Sequence, residues 1–430
     1  MRAIISRLRA SLLFKTSFLN GIANLIKISI SIITNKVVSV ILGPSGIAMV
    51  GQFSNILVII NTFATLGISG GTTKYIAEHY DEPQKRQDCE STSFLMTIVS
   101  TLMVSIVVWV FSNYFSLSVF GQSTYRIVFQ IVAVTLFMFS LNNYFLAMLN
   151  GYKQYKLIVI VNIASSILGL ILTVLLTVYL HLLGAILALV LSQCVILLIS
   201  FIVVKNMSWF SRNLFRHLNR TMVINLLKFA MMTFTSIFAG TYIQLLIRTY
   251  VITHVSLVDA GYWQGILRIG DMYIGLVVST ISIYYLPRIS EIKTNMELKK
   301  EVWKCFIFLI PITIVCSLIM YLLRGLVISL LFSSAFMPME SLFLFYLLGN
   351  IFKVAAWLLG YILVAKAMTL LFIFTELFFG LFYYVISIFF VSNFGVIGAT
   401  YAYFANYLFL FLFLLIIYRK VILRTEHDAV

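Results

Sequence analysis

The sequence predicts an all-α polytopic membrane protein with about twelve transmembrane helices, and three observations carry this prediction. Of its 430 residues, 62% are hydrophobic and only 10% are charged, whereas roughly a quarter are charged in ordinary soluble domains. About twelve apolar stretches are each long enough to cross a hydrocarbon core of ~30 Å at 1.5 Å per helical residue. The alternating segments of about ten residues that build a membrane β-barrel are absent. A water-soluble fold is therefore excluded.

The predicted spans divide into two lobes of six helices. The first lobe covers residues 1–204, with spans at 12–41, 45–68, 91–113, 126–149, 157–180 and 183–204. A basic cytoplasmic linker follows over residues 205–221. The second lobe covers residues 222–418, with spans at 222–247, 258–286, 303–323, 341–365, 368–391 and 396–418. Residues 419–430 form a cytoplasmic tail.

The positions of the positive charges predict that both termini are cytoplasmic, because the cytoplasmic loops of membrane proteins collect Lys and Arg. With the N-terminus inside, cytoplasmic segments hold 21 of the 30 Lys and Arg residues. Outside loops or their edges hold only Arg126, Arg248 and Arg324. The net charge of +16 is interpreted as this topology signal and not as nucleic-acid binding. The basic segment Met1–Leu13 is interpreted as the start of a retained first span, since no signal-peptide cleavage site follows it.

The sequence gives no support to metal, cofactor or thiol chemistry. None of the cysteines has C-x-x-C spacing, and the five histidines are scattered over loops and helix ends. Both patterns differ from those of metal sites and redox motifs. We therefore expect a protein without a metal or an organic cofactor.

Ionisable side chains inside the predicted spans carry the functional argument. Each costs about 2.5–3.5 kcal/mol near a helix centre, so such residues normally face a cavity or a partner. The candidates for binding an anionic substrate are Lys27, Lys36, Arg268 and Lys353. The candidates for coupling transport to protons or another cation are Asp271 and Glu376.

Two structural alternatives stay open for these charges. Arg268 and Asp271 are three residues apart on one helix face and could form an ion pair that only fixes packing. Lys353 and Glu376 lie in neighbouring spans and could do the same. The four cations nevertheless outnumber the two carboxylates, and unpaired positive charges in a dry bundle would be costly. A wet cavity with a positive surplus favours an anionic substrate.

Several segments together resemble Wzx-type flippases of the multidrug/oligosaccharidyl-lipid/polysaccharide (MOP) superfamily. They are Leu42–Gly46, Thr72–Ala77, Gly261–Gly265 followed by Asp271, Tyr285–Pro287, and Lys353 through Ala367 to Glu376. The resemblance extends over all twelve predicted spans and is closest to the branch that contains the lipid III flippase of enterobacterial common antigen. It implies a MATE-like fold with a central cationic cavity that alternates between the two membrane faces. The candidates Lys27, Lys36, Asp271, Lys353 and Glu376 match this branch, whereas Arg268 departs from it.

The resemblance also implies a function. A bacterial inner-membrane flippase of this kind is not an enzyme; it moves undecaprenyl-diphosphate-linked oligosaccharide units from the cytoplasmic to the periplasmic face. An O-antigen unit is the first expected substrate and lipid III the alternative. The expected partners are this substrate, membrane lipids, a polysaccharide polymerase and a chain-length regulator.

Three other classes of protein fit the sequence less well. A MATE-like exporter of cationic drugs should have an acid-rich cavity, but the deep charges here are mainly basic. A membrane polymerase, ligase or glycosyltransferase should have larger outside loops than 114–125 and 324–340. A structural scaffold has no use for deep positive charges at such a cost.

Overall fold

The computed structural model describes the backbone of residues 2–205, 207, 209–210, 218–281, 285–292, 294–366 and 368–422. It describes side chains within these ranges from residue 26 to residue 418, except at 276, 278–280, 286 and 287. Parts of the predicted linker (206, 208 and 211–217) and most of the predicted tail (423–430) lie outside the described residues.

The described chain is α-helical almost throughout, because long apolar segments satisfy their backbone hydrogen bonds internally as helices. In chain order the helices are α1 (Arg2–Thr65), α2 (Ser69–Glu78), α3 (Pro83–Val110), α4 (Ser112–Phe120), α5 (Arg126–Gly151), α6 (Tyr155–Val204), α7 (Arg220–Ile237), α8 (Ile243–His254), α9 (Leu257–Thr280), α10 (Leu286–Glu291), α11 (Asn295–Leu322), α12 (Arg324–Leu331), α13 (Phe343–Ala365), α14 (Thr369–Phe394) and α15 (Val396–Ile422). A π-helical segment, Phe238–Tyr242, joins α7 to α8.

Two of these helices are broken and are long enough for two crossings each. In α1 the break is at Gly43, whose φ of 63° lies in the left-handed region that glycine tolerates, and Pro44 follows it. In α6 it is at His181, with a φ of 50°. Nine of the described helical segments are long and apolar enough to span a membrane, and these two contribute 40 and 50 residues. Counting each of the two as two crossings and adding α9 gives the twelve predicted spans.

The chain forms two compact units. The first unit consists of Met1–Leu42 and Phe53–Phe234, and the second of Gly43–Gln52 and Thr235–Val430. The predicted lobe boundaries, 1–204 and 222–418, stay predictions.

A polar cluster is buried in the first unit at the start of α3. The Glu90 side chain is 0% exposed and lies 3.7 Å from the Arg86 Nε. The Tyr152 hydroxyl donates a hydrogen bond to the same carboxylate, and the Tyr152 ring stacks on Trp209. Because a buried carboxylate is stable only with such partners, this cluster is interpreted as structural.

The core of the second unit is built around one face of α13. Val354, Leu358 and Ile362 are spaced four residues apart and are all buried, as expected for residues on one helix face. The Tyr285 hydroxyl donates a hydrogen bond of 2.7 Å to the Leu358 carbonyl from the other side of this core. The adjacent face of α13 carries Lys353, and it is this face that forms the candidate site.

Candidate functional site

The second unit contains a cavity of about 500 Å³. Its walls come from α13, α14 and α15, and from the segment that joins α7 to α8. All of its described lining residues belong to this unit. Its size lies within the ~300–1,000 Å³ of typical ligand sites.

Helical spacing explains how these three helices line the cavity. Lys353, Trp357 and Tyr361 are four residues apart on α13, next to the face that packs into the core. On α14 the lining residues are Phe372, Thr375, Glu376, Phe379, Gly380 and Tyr383. On α15 they are Tyr403, Asn406, Tyr407, Leu410 and Leu414. Each set follows the three- and four-residue spacing of a single helix face, so the sequence defines three continuous stripes.

The ammonium group of Lys353 lies among three aromatic rings. Its Nζ is 4.8 Å from the ring centroid of Trp357, 5.6 Å from that of Tyr403 and 5.4 Å from that of Tyr407. Cation–π contacts at these distances stabilise a charge by about 0.5–2 kcal/mol each. They do so without neutralising it, so the lysine can still attract an anion.

Lys353 and Glu376 line the same cavity but do not form an ion pair with each other. In the described part of the chain, no cation lies within 4.0 Å of the half-buried Glu376 carboxylate. The structural pair that the sequence left open is therefore not seen. Among the described lining residues these two carry the only charges, so the cavity itself has no surplus of positive charge.

Asn406 adds a second unpartnered acceptor to the cavity. Its side chain is 5% exposed, and its Oδ1 atom accepts no hydrogen bond from a described residue. Most buried polar atoms in proteins are hydrogen-bonded, so this oxygen is an exception. An uncharged amide in an apolar span gives no sequence signal that singles it out.

A hydrogen-bonded network holds one of the three aromatic rings in position. The Tyr403 hydroxyl donates to Asn350 Oδ1 at 2.7 Å, and Asn350 Nδ2 donates to the Tyr273 hydroxyl at 2.8 Å. The Tyr273 oxygen in turn lies 3.4 Å from Ser317 Oγ. The network joins α15, α13, α9 and α11. Asn350 is not named in the sequence analysis above. Its position three residues before Lys353 places both side chains on the same side of the helix, which could have identified it.

The remaining candidates of the second unit, Arg268 and Asp271, lie on α9 and are not among the cavity-lining residues. The Arg268 side chain is half-buried, whereas that of Asp271 is exposed. The field of both Lys353 and Arg268 acts on the Asp271 carboxylate. The three residues therefore form one electrostatic group at the edge of the candidate site.

Arg248, which the sequence predicts to lie in an outside loop or at a span edge, is buried. It is 1% exposed and lies within α8. Its Nη2 donates a hydrogen bond to Gln264 Oε1 on α9, while Nε and Nη1 have no partner among the described residues. Counting the Lys and Arg residues of the loops cannot identify such a buried arginine. The sequence near the end of a span does not show which side of the helix packs against its neighbours.

The other two candidate cations, Lys27 and Lys36, belong to the first unit and do not line this cavity. Lys27 is exposed and Lys36 is half-buried. Their role in substrate binding stays a prediction. No group of three or more His, Cys, Asp or Glu side chains that could hold a metal ion is found among the described residues.

Comparison with solved structures identifies the fold. The chain is similar to the inward-facing conformation of a multidrug resistance MATE family transporter of the MOP superfamily, with a TM-score of 0.76 and 14% identity over 93% of this chain and 98% of that one. It is also similar to a MOP superfamily transporter from Pyrococcus furiosus described as having a binding pocket of reverse polarity, with a TM-score of 0.70 and 15% identity over 96% and 97% of the two chains. The predicted MATE-like fold is confirmed.

Comparison of sequences identifies relatives at greater similarity. The chain is 26% identical over 404 residues to the lipid III flippase of Escherichia coli (strain K12), covering 93% of this chain and 96% of that protein. The lipid III flippase of Shigella flexneri gives the same values. The family model described as polysaccharide biosynthesis protein matches residues 13–293, more than half of the chain. The chain therefore belongs to the polysaccharide biosynthesis protein family.

Proposed function

We propose that this protein is a flippase that translocates undecaprenyl-diphosphate-linked oligosaccharide units across the bacterial inner membrane by alternating access. Family membership and similarity to two lipid III flippases over nearly the whole chain support the proposal. The structural observation that carries it is the Lys353 ammonium, which lies in a cavity among aromatic rings and is not paired with the carboxylate across from it. The protein is proposed to be a transporter without catalytic residues.

The main physical obstacle to this translocation is the negative charge of the diphosphate. Moving an isolated anion into hydrocarbon costs tens of kcal/mol in the Born limit, so the charge has to be offset along the whole route. We propose that Lys27, Lys36, Arg268 and Lys353 offset it while the lipid tail stays in the bilayer. A lysine stabilised by rings suits this role, because it does not have to break an ion pair before it binds phosphate oxygen.

Coupling to an ion is proposed for Asp271 or Glu376. Both carboxylates lie close enough to Tyr407 to act on its phenol electrostatically. Asp271 also feels the charge of Lys353. A proton or cation that binds at either carboxylate therefore changes the field at the lysine.

The sugar carried by the lipid is proposed in two forms. An O-antigen unit is one candidate, and lipid III is the other, which the two relatives named above favour. A polysaccharide polymerase and a chain-length regulator stay proposed partners. The proposal also places both termini in the cytoplasm.

Complementation of flippase-null strains tests the proposal. The full chain would be expressed in one strain that lacks its lipid III flippase and in another that lacks its O-antigen flippase, with its amount in the membrane measured by immunoblot. Restored surface polysaccharide in either strain is the expected result, and the strain that responds identifies the sugar. Normal accumulation without restored polysaccharide in both, together with increased resistance to cationic drugs, would replace the flippase by a MATE-like exporter.

A further inference from the structure

The turn that joins α1 to α2 has an uncommon backbone and is held firmly in place. Leu66 and Gly67 have φ angles of 52° and 60°, and a non-glycine residue in this left-handed region is uncommon. Ser100 Oγ donates to the Phe63 carbonyl at 2.7 Å, and Thr233 Oγ1 donates to the Gly67 carbonyl at 3.0 Å. The C-terminal end of α1, which carries a partial negative charge, is therefore fixed at a defined point of the first unit.

A small pocket lies beside this turn, within the first unit. Its volume of about 10 Å³ is close to the space that one water-sized occupant needs. None of its described lining residues is charged. Ser69 and Asn143 are only half-buried, which leaves a way in for an ion. The polar lining residues are Thr65, Ser69, Thr72, Thr97, Ser140, Asn143 and Tyr144.

Most of the hydroxyl protons at this pocket are already used. Thr65, Thr72 and Thr97 each donate to the backbone carbonyl one turn earlier, at distances between 2.8 and 3.1 Å. The Ser69 hydroxyl donates to Asn143 Oδ1 at 3.0 Å. A hydroxyl has one proton and two lone pairs, so these oxygens have only lone pairs left for an occupant. The pocket therefore suits an electron-pair acceptor such as a cation.

The chemistry of the wall selects among possible occupants. An anion would find no Lys or Arg side chain among the described lining residues. A calcium or magnesium ion would lack the carboxylates that their sites usually provide, and a transition metal would lack imidazole or thiolate ligands. A monovalent alkali cation requires only neutral oxygens. Helix C-terminal ends and irregular backbone inside transporters commonly coordinate such ions.

We propose that this pocket binds a monovalent alkali cation, sodium or potassium. Its ligands are the hydroxyl oxygens of Thr65, Ser69, Thr72 and Thr97 together with Asn143 Oδ1, and the negative end of α1 adds to the attraction. Because these residues belong to α1, α2, α3 and α5, the bound ion joins four helices and stabilises the first unit. The inference does not rest on the proposed function, since the two carboxylates proposed for ion coupling belong to the second unit.

Equilibrium binding of radioactive cations to the purified full chain in nanodiscs tests the site. The probes are sodium and, as a substitute for potassium, rubidium, each in choline chloride buffer. We expect saturable binding of a single ion of one or both kinds. Competition of each labelled ion by unlabelled sodium and potassium shows which of the two the pocket prefers.

Two variants and a matched control locate the ion. Thr97→Val keeps the shape of the side chain but lacks the oxygen, and it should weaken cation binding about tenfold. Ser69→Ala removes another oxygen and should act in the same direction. Thr313→Val is the control, because the buried Thr313 in the second unit makes the same type of hydrogen bond, 2.8 Å to the Leu309 carbonyl. It should bind the cation like the original protein.

Three outcomes would overturn the site. The first is no saturable binding of either cation to the original protein, which would leave water as the occupant. The second is unchanged affinity in both Thr97→Val and Ser69→Ala. The third is loss of binding in Glu376→Gln with normal binding in Thr97→Val, because the ion would then lie in the second unit.

The binding assay requires no transport, so its failure can be distinguished from failure of the proposed function. Cation binding without complementation of a flippase-null strain would contradict the proposed function only. Complementation without cation binding would contradict this site only.

Discussion

The Tyr403 hydroxyl donates a hydrogen bond of 2.7 Å to Asn350 Oδ1. A buried amide of α13 therefore fixes the position of a ring that contacts Lys353. Asn350 is completely buried, and its other side-chain atom donates to Tyr273. One amide therefore satisfies two tyrosines on two different helices.

Replacing the amide should destabilise the second unit. In Asn350→Ala both tyrosine hydroxyls lose their partner, and we expect a loss of about 1–3 kcal/mol in the free energy of unfolding, since hydrogen bonds between membrane helices contribute about 0.6–1.7 kcal/mol each. Denaturation of the purified protein in detergent measures the change. Asn393→Ala is the control, because the hydrogen bonds of the exposed Asn393 to described residues lie within α14. Equal stability of the two variants would contradict the network's role.

Removing a deep positive charge should stop export. Lys353→Ala and Lys27→Ala are each expected to lower surface-polysaccharide export at least about tenfold, which corresponds to 1.4 kcal/mol, while the protein still accumulates in the membrane. Lys353→Arg should keep part of the activity because the charge is retained. Lys304→Ala, at an exposed lysine 3.8 Å from Glu301, is the control and should export normally. Unchanged export in every single and paired substitution would end the charge-offset mechanism.

Gly261 should not tolerate a side chain. A Cβ atom at this position would lie 2.1 Å from the Pro44 carbonyl oxygen, which is backbone and cannot rotate away. We expect Gly261→Ala to lower the free energy of unfolding by about 1–3 kcal/mol, the usual cost of overpacking.

A second glycine provides the comparison. Gly169 lies inside α6, and outside the backbone of its own helix turn no described atom lies within 4 Å of an added Cβ. Gly169→Ala should therefore be neutral or stabilising by up to about 1 kcal/mol. Thermal denaturation of both variants measures the difference. A Gly261→Ala protein as stable as the original would show that the helices can separate there without cost.

The two partners of the buried Arg248–Gln264 hydrogen bond should not be equally costly to replace. Gln264→Leu removes the oxygen to which the buried Arg248 guanidinium donates, and it should destabilise the protein by about 3 kcal/mol. Arg248→Leu removes the charge itself and should cost less. A double-mutant cycle with urea denaturation measures the coupling. Equal losses in the two single variants would mean that another group, such as water, already satisfies the guanidinium.

The cytoplasmic position of both termini is testable with reporters. Green fluorescent protein fused after Val430 should fluoresce, and alkaline phosphatase at the same position should be inactive, because the first reporter folds on the cytoplasmic side and the second only outside. Alkaline phosphatase fused within the outside loop 324–340 should be active. The reverse pattern would invert the predicted orientation.

The sequence was sufficient for the helices and for part of the site. Apolar length alone located the spans, and the breaks at Gly43 and His181 fall in the two gaps that were predicted within α1 and α6. Lys353 and Glu376 were found because a charge inside an apolar run is conspicuous. That they line one cavity depends on how α13 and α14 pack, which hydrophobic length does not encode.

The missed residues share a physical reason. Asn350 and Asn406 are uncharged, and a neutral amide in a membrane helix is usually explained by helix contacts. Periodicity places each on a helix face, but only the neighbouring helix decides whether its oxygen is bonded, as in Asn350, or buried without a described partner, as in Asn406. The burial of Arg248 could not be predicted, because position along the chain does not show which side of a helix end packs into the bundle.

The position of Tyr403 and Tyr407 beside Lys353 has a consequence for biogenesis. Both tyrosines are on α15, the last described helix, so α13 brings Lys353 into the bilayer before the helix that carries two of its three rings. During that interval the ammonium must be shielded by the insertion machinery, by water or by lipid head groups. A chain that ends before residue 396 therefore keeps Lys353 with only the Trp357 ring of these three beside it.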